Sequence, residues 1–182
     1  MTNLPDTHFN PKKILIIGAE CTGKSTLAQT LATVFDGVYV SEYMRTYLAQ
    51  KPDGYLCQYD DLIPIAQGQI RQEQQASHQG KPYLFCDTSL LLLQVYSEHY
   101  FGRCPQWIVN KIKELYYDLI LLTDNRGVVW QADGQRDLPD GHDMIHQAIL
   151  TQLASRHLPY VAISGTPDER LAQVRQCLLG DV

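Results

Sequence analysis

The feature that most limits what this chain can become is Gly18-Ala19-Glu20-Cys21-Thr22-Gly23-Lys24-Ser25, which fits G-x-x-x-x-G-K-[ST] at every fixed position. A compact β-branched run, Ile14 to Ile17, stands directly before it. Ser25, Leu27, Ala28, Leu31 and Ala32 follow at helical spacing. A strand that ends in a glycine-rich turn and re-enters as a helix leaves successive backbone N–H groups pointing inward, and the helix adds the positive end of its dipole. Such a turn cradles phosphate oxygens. Lys24 would bridge the β- and γ-phosphates of a nucleoside triphosphate, and Ser25 would offer its hydroxyl to Mg²⁺.

Short apolar runs alternating with helical patterns continue along the chain, with no repeat, low-complexity block or long linker. Val38 to Val40, Tyr83 to Cys86, Leu119 to Leu122 and Tyr160 to Ile163 predict four more buried strands. Asp60 and Asp61 are placed to cap a helix bearing Leu62, Ile65, Ala66 and Ile70 and ending near Gly80. Met144, Ile145, Ala148, Ile149 and Leu153 repeat at the same period. Thr166, Pro167 and Glu169 form a capping box that opens a last helix with Leu171, Val174 and Leu178 inward. With right-handed crossovers, five parallel strands between helices make a three-layer sandwich, one domain over residues 1–182 with a tail over 1–11.

Phosphate chemistry also needs an acidic residue at the end of a neighbouring strand, and Tyr83-Leu84-Phe85-Cys86-Asp87 supplies one. Asp87 could hold the water shell of a metal or accept the proton of an attacking hydroxyl, and the residues leave both open. It could also merely cap the helix that begins after Thr88 and Ser89. Glu42 and Arg45, after the second strand, are spaced to share a helix face. The polar connection over 124–138, with Arg126, Trp130, Asp133 and Arg136, is too long for a bare turn and reads as a short lid. Guanidinium groups on a lid meet the charge that spreads over a moving phosphoryl group, and a tryptophan there can stack on a flat ring or simply anchor the lid.

The 15 Lys and Arg against 20 Asp and Glu, a net charge of -5, argue against nucleic acid or an anionic membrane surface as partner. No apolar run approaches the ~20 residues that cross a bilayer, and the first residues lack the pattern of a secretion signal. The 5 cysteines are widely spaced without a C-x-x-C pair, which fits a reducing cytoplasm. His142, His146 and His157 lack a metal-ligand spacing and read as polar helix positions. Gln67 to Gln79 reads as a solvated helix face, and Tyr96, Tyr100, Tyr116 and Tyr117 fall in helical patterns.

The loop GAECTGKST, EYMR at 42–45, DTS at 87–89, YDLILLTD at 117–124, W-x-x-DGQRD at 130–137 and LPYVAISGTPDER at 158–170 together resemble the ribosylnicotinamide kinase domain of NadR-type proteins. The resemblance covers nearly the whole chain, and its lid and E-Y-x-R elements are more specific than the loop. It implies a three-layer P-loop NTPase/kinase fold with a five-stranded parallel sheet and a short lid. It further implies an ATP- and Mg²⁺-dependent kinase acting on the 5′-hydroxyl of nicotinamide riboside. Gly18 through Ser25, with Thr26 and Arg126, would contact ATP. Glu42, Tyr43, Arg45, Asp87, Trp130 and Asp133 would meet the riboside. Lys24, Asp87 and Arg136 would be catalytic, with Ser25 and Asp87 toward the metal. Ser89 stands where family members often carry a second carboxylate, and Val129 where they often carry proline. No H-x-G-H-like motif is visible, so kinase activity without dinucleotide synthesis is the expectation. Another riboside acceptor, or an ATP-dependent switch, are the alternatives, and homo-oligomerisation is left open.

Overall fold

The computed structural model describes residues 10–124 and 142–180. Its strands are β1 (Lys12–Ile17), β2 (Val38–Val40), β3 (Tyr83–Asp87), β4 (Leu119–Thr123) and β5 (Val161–Ile163). The helices are α1 (Lys24–Val34), α2 (Tyr43–Leu48), α3 (Leu62–Ser77), α4 (Leu90–Phe101), α5 (Gln106–Ile112), α6 (His142–Ser155) and α7 (Pro167–Leu179). A 3-10 turn over Tyr59–Asp61 leads into α3. The strands form one sheet in the order β2-β3-β1-β4-β5, and every pairing is parallel.

Alternation along β1 explains the layers. Ile14 and Ile16 join Phe85 and Leu121 under Leu27, Ala28 and Leu31 of α1 and Val174 of α7. Leu15 and Ile17 point the other way, against Leu91 and Val95 of α4 and Ile145, Ile149 and Leu153 of α6. Cys86 pairs with Leu15 and shares that second face, where α3 covers Val40, Leu84 and Cys86 through Ala76. Both sheet faces are therefore buried, as the continuous apolar runs require.

Helix ends follow local chemistry. Ser89 Oγ accepts from the Leu91 N–H and caps α4, so Asp87 is not the cap. Thr166 and Glu169 form the reciprocal capping box of α7, with proline in its first turn. Several helical expectations are corrected. Asp61 is the N-cap residue of α3 but makes no side-chain cap to that helix; its carboxylate accepts from the Gln58 N–H, in the capping box of the preceding 3-10 turn, and from the hydroxyls of Tyr47 and Tyr55. Tyr116 and Tyr117 lie after α5 in an irregular segment, since three residues separate the turn that ends α5 from β4's approach too tightly for another helical turn. Met144 is exposed on α6, and His157 sits past that helix at φ 53.

The glutamine-rich helix is only partly solvated. On α3, Gln69 and Glu73 are buried, with Gln72 turned inward as well. Gln69 Oε1 accepts from the Tyr43 N–H at 2.9 Å, which ties the first turn of α2 to α3. Glu73 pairs with Lys13 Nζ at 2.7 Å and accepts from the Tyr117 hydroxyl. Gly68 lets this contact close, because a Cβ there would overlap the Tyr43 ring.

Intrinsic propensity favours alanine over glycine in mid-helix by about 1 kcal/mol. Gly68→Ala should nevertheless destabilise the protein by about 1–3 kcal/mol, since overpacking against Tyr43 outweighs that gain. A lower urea midpoint at unchanged m-value would show it.

Candidate nucleotide-binding site

The carboxyl ends of all the strands open on one edge of the sheet. There the loop after β1, Glu42 after β2, Asp87 at the end of β3, Thr123 at the end of β4 and Gly165 after β5 converge. A cleft of about 1090 Å³ lies over this edge, lined by the loop from Glu20 to Thr26 and by Glu42, Arg45, Gly165 and Arg170.

The loop after β1 is shaped by several independent contacts. Gly18 lies against Thr123, whose Oγ1 a Cβ at that position would overlap. Thr22 Oγ1 donates to the Ala19 carbonyl at 2.8 Å and stands 2.6 Å from Thr123 Oγ1. Arg170, reaching from α7, donates to the carbonyls of Thr22 and Gly165. Cys21 and Gly23 take left-handed conformations, with φ of 58 and 81. The helix α1 thus starts from Gly23 with no side-chain cap. Its first N–H groups are left for an anion, at the positive end of the helix.

Lys24 Nζ donates to the Ala19 carbonyl at 2.8 Å and so lies folded over the loop. Burial strips water from its ammonium and lowers its pKa, while Glu42, Asp87 and Glu20 pull the other way and Arg45 adds to the lowering. Burial raises the pKa of Glu42, with Lys24 and Arg45 opposing and Asp87 reinforcing. Arg45 Nε donates to Glu42 Oε2 at 3.1 Å, the i,i+3 pairing anticipated, although Glu42 is the residue before α2 rather than within it.

Asp87 is only 2% exposed and does not line the open cleft. Its Oδ2 accepts from the Tyr39 hydroxyl at 3.1 Å. Its Oδ1 is fully buried and has no hydrogen-bond partner among the described residues. Thr88, which follows, takes φ 76, an uncommon backbone state for a β-branched residue. Burial first, and then the Asp87 carboxylate, push the Tyr39 phenol up to about 12.

Of the sequence-predicted residues, Gly18 to Thr26, Glu42, Tyr43, Arg45 and Asp87 are brought together at this edge. Within that set Tyr43 turns its ring toward Gly68 on α3, and Asp87 is sealed from the cleft. Arg126, Trp130, Asp133 and Arg136, and the lid apart from Asp124, lie outside the described residues, as does the tail over 1–9. Sequence reasoning missed Tyr39, Thr123 and Arg170. Period-2 alternation from Phe85 to Asp87 could have found Tyr39 once the β2–β3 register was known; Arg170 offered no local signal.

A far wall of the cleft is built by residues 49–58. Lys51 Nζ stands 3.4 Å from Asp61 Oδ1 and over the rings of Tyr47 and Tyr55. Burial alone would raise the Asp61 pKa, but the Gln58 N–H, the hydroxyls of Tyr55 and Tyr47 and the Lys51 ammonium outweigh it and hold it at about 2.

Among the described residues, no group of three or more His, Cys, Asp and Glu could hold a metal, and no helix is long and apolar enough to cross a membrane. All 5 cysteines are free. Burial raises the thiol pKa of Cys86 well above its ordinary value, which makes it an inert core group.

A parallel five-stranded sheet with a glycine-rich phosphate loop after its central strand and acidic groups on the adjoining strand ends defines the P-loop nucleotide-binding class, in its kinase-like form. The chain belongs to the AAA domain family AAA_28, whose model matches residues 13–170. It is 29% identical over 159 residues to the trifunctional NAD biosynthesis/regulator protein NadR of Escherichia coli (strain K12), and 32% identical over 159 residues to that of Salmonella typhimurium (strain LT2). Each alignment covers 85% of this chain, and the chain spans 38% of the length of each relative. A NadR protein solved in complex with NR superposes with a TM-score of 0.78 at 20% identity, over 96% of this chain and 52% of that one. Thymidylate kinase from Candida albicans superposes with a TM-score of 0.68 at 17% identity, over 93% of this chain and 92% of that one. These structural likenesses establish the fold.

A carboxyl such as Asp61, whose folded pKa is below its unfolded one, binds fewer protons when folded, so its contribution is complete above about pH 4 and is lost as pH falls toward 2. Urea midpoints measured across that window should fall less steeply in Asp61→Asn than in the wild type, although the variant is less stable at neutral pH.

Proposed function

We propose that this chain is an ATP- and Mg²⁺-dependent kinase that transfers the γ-phosphoryl group to the 5′-hydroxyl of nicotinamide riboside, giving nicotinamide mononucleotide. The observation that carries the reading is the uncapped N-terminus of α1 opening into the same cleft as Glu42 and Arg45. Donor phosphates and an acceptor can then share one space. The similarity to NadR proteins, one of them solved with NR, and the W-x-x-D-G-x-R lid motif at 130–136 support nicotinamide riboside as that acceptor.

The residues present suit Mg²⁺, a hard cation that takes oxygen ligands. Ser25 Oγ and the buried, unpartnered Oδ1 of Asp87 are the groups that would hold it or its waters. When bound, Mg²⁺ neutralises charge on the phosphate oxygens. Backbone N–H groups of the loop hold the triphosphate, and Lys24 leaves the Ala19 carbonyl to meet the transferring group. Glu42 lines the cleft with its pKa raised by burial, so it is the carboxylate set to take the acceptor's hydroxyl proton, and Arg45 orients it. Asp87, sealed below, serves the metal.

The acceptor ring is assigned to the lobe lined by Tyr55, Leu56, Leu92, Leu93, Tyr96 and Tyr100, an apolar and aromatic wall that suits a flat heterocycle. Trp130 would stack on it, with Asp133 at the riboside and Arg136 and Arg126 on the phosphates. Free thiols suit a reducing compartment, so the cytoplasm is the proposed setting.

Incubation with nicotinamide riboside and MgATP should yield nicotinamide mononucleotide by mass spectrometry. Phosphate released to water with no mononucleotide, or a pyrimidine nucleoside preferred by orders of magnitude, would overturn the assignment. Lys24→Ala should lose kcat by about 100-fold or more while remaining folded. Trp130→Ala should raise KM for the riboside far more than KM for ATP, a split that steady-state kinetics reads directly.

A further inference from the structure

Tyr39 belongs to none of the motifs that point to phosphate chemistry, yet the sheet delivers it to the centre of the site. In the parallel register Tyr39 pairs with Phe85, and Ile16 pairs with Asp87. Side chains two apart on a strand share a face, so Tyr39, Phe85 and Asp87 all project toward α1. The Tyr39 ring packs into the cluster of Ile14, Ile16, Leu27, Ala28 and Phe85. From that anchorage its hydroxyl reaches Asp87 Oδ2 at 3.1 Å, and the side chains of Gln29 and Ser25 lie beside the Tyr39 hydroxyl. The two oxygens of Asp87 are therefore unequal. Oδ2 is occupied by the phenol, while Oδ1, which is buried, has no partner among the described residues.

We propose that Tyr39 is a positioning residue: by engaging Asp87 Oδ2 it locks the carboxylate rotamer and keeps Oδ1 for the Mg²⁺ that accompanies ATP. This rests on the kinase reading above and adds to it a residue outside the loop and lid. A buried carboxylate free to turn would present either oxygen, and a donor on one of them removes that freedom. The phenol suits the task because its ring is fixed by packing rather than by the hydrogen bond it makes. Its position beside Ser25 gives the two metal-facing side chains a common neighbour.

Tyr39→Phe removes one oxygen and keeps the ring. The set to compare is wild type, Tyr39→Phe, Asp87→Asn, the double variant, and Tyr83→Phe, which strips a hydroxyl from another ring packed against the same core cluster. Calorimetric titration with ATP, with and without Mg²⁺, reads the metal-linked step without needing an acceptor. Tyr39→Phe should bind ATP alone as the wild type does, with an unchanged Tm. Its Mg²⁺-dependent gain in ATP affinity and its kcat should fall by about 10-fold, the scale of losing a partner that orients a metal-facing carboxylate, with KM for the riboside within about twofold. In the Asp87→Asn background the same substitution should change nothing further.

Wild-type behaviour of Tyr39→Phe in both readouts would overturn the proposal. So would an equal loss in the Asp87→Asn background, or the same loss from Tyr83→Phe, either of which would mark a packing effect. A wild-type protein that binds MgATP but makes no mononucleotide would overturn the riboside assignment alone, and the titrations would still decide the role of Tyr39.

Discussion

The site depends on one helix end being left without a cap. Two of the described helices satisfy a first-turn N–H with a side chain, α4 with Ser89 and α7 with Thr166. At α1 the residues that could do so are turned elsewhere. Thr22 is committed to the Ala19 carbonyl and to Thr123, and the residue at the cap position is Gly23. The donors that result would be costly in a buried place without partners, and a phosphate group answers that cost. Arg170 and the close approach of Gly18 to Thr123 hold the loop in this form from two other parts of the chain.

Around that helix end the charges have distinct stations. Lys24 lies folded over the loop with Glu42, Asp87 and Glu20 in its field, so the ammonium is kept near the place where phosphate charge would replace a backbone carbonyl. Glu42 faces the cleft with Arg45 at its side, while Asp87 is sealed below under the Tyr39 hydroxyl. Two carboxylates, one just after β2 and one at the end of β3, thus differ in access, and that difference assigns one to the acceptor and the other to the metal in the proposed reaction.

Much of this was legible in the residues. Every strand lies within two residues of its apolar run, because a sheet covered on both faces needs short continuous apolar stretches. The capping box at Thr166 and the loop motif were equally plain, since each is a local arrangement. Long-range polar contacts were not. The inward side chains of α3, Gln69, Gln72 and Glu73, read as solvent-facing because their partners, Tyr43, Ser41 and Lys13, belong to other elements. Asp61 caps the 3-10 turn before α3 rather than α3 itself, and its ties to Tyr47 and Lys51, farther back along the chain, had no local signal.

The amino-acid sequence by itself determined the order of strands and helices, the phosphate loop and the carboxylates at the strand ends, because periodicity, glycine placement and capping act over a few neighbouring residues. Only the tertiary structure decided which of those carboxylates meets the cleft and that Tyr39 stands over Asp87. Those outcomes follow from the register between β2, β3 and β1, and register is set by the packing of whole faces against α1 and α3, which no single segment encodes.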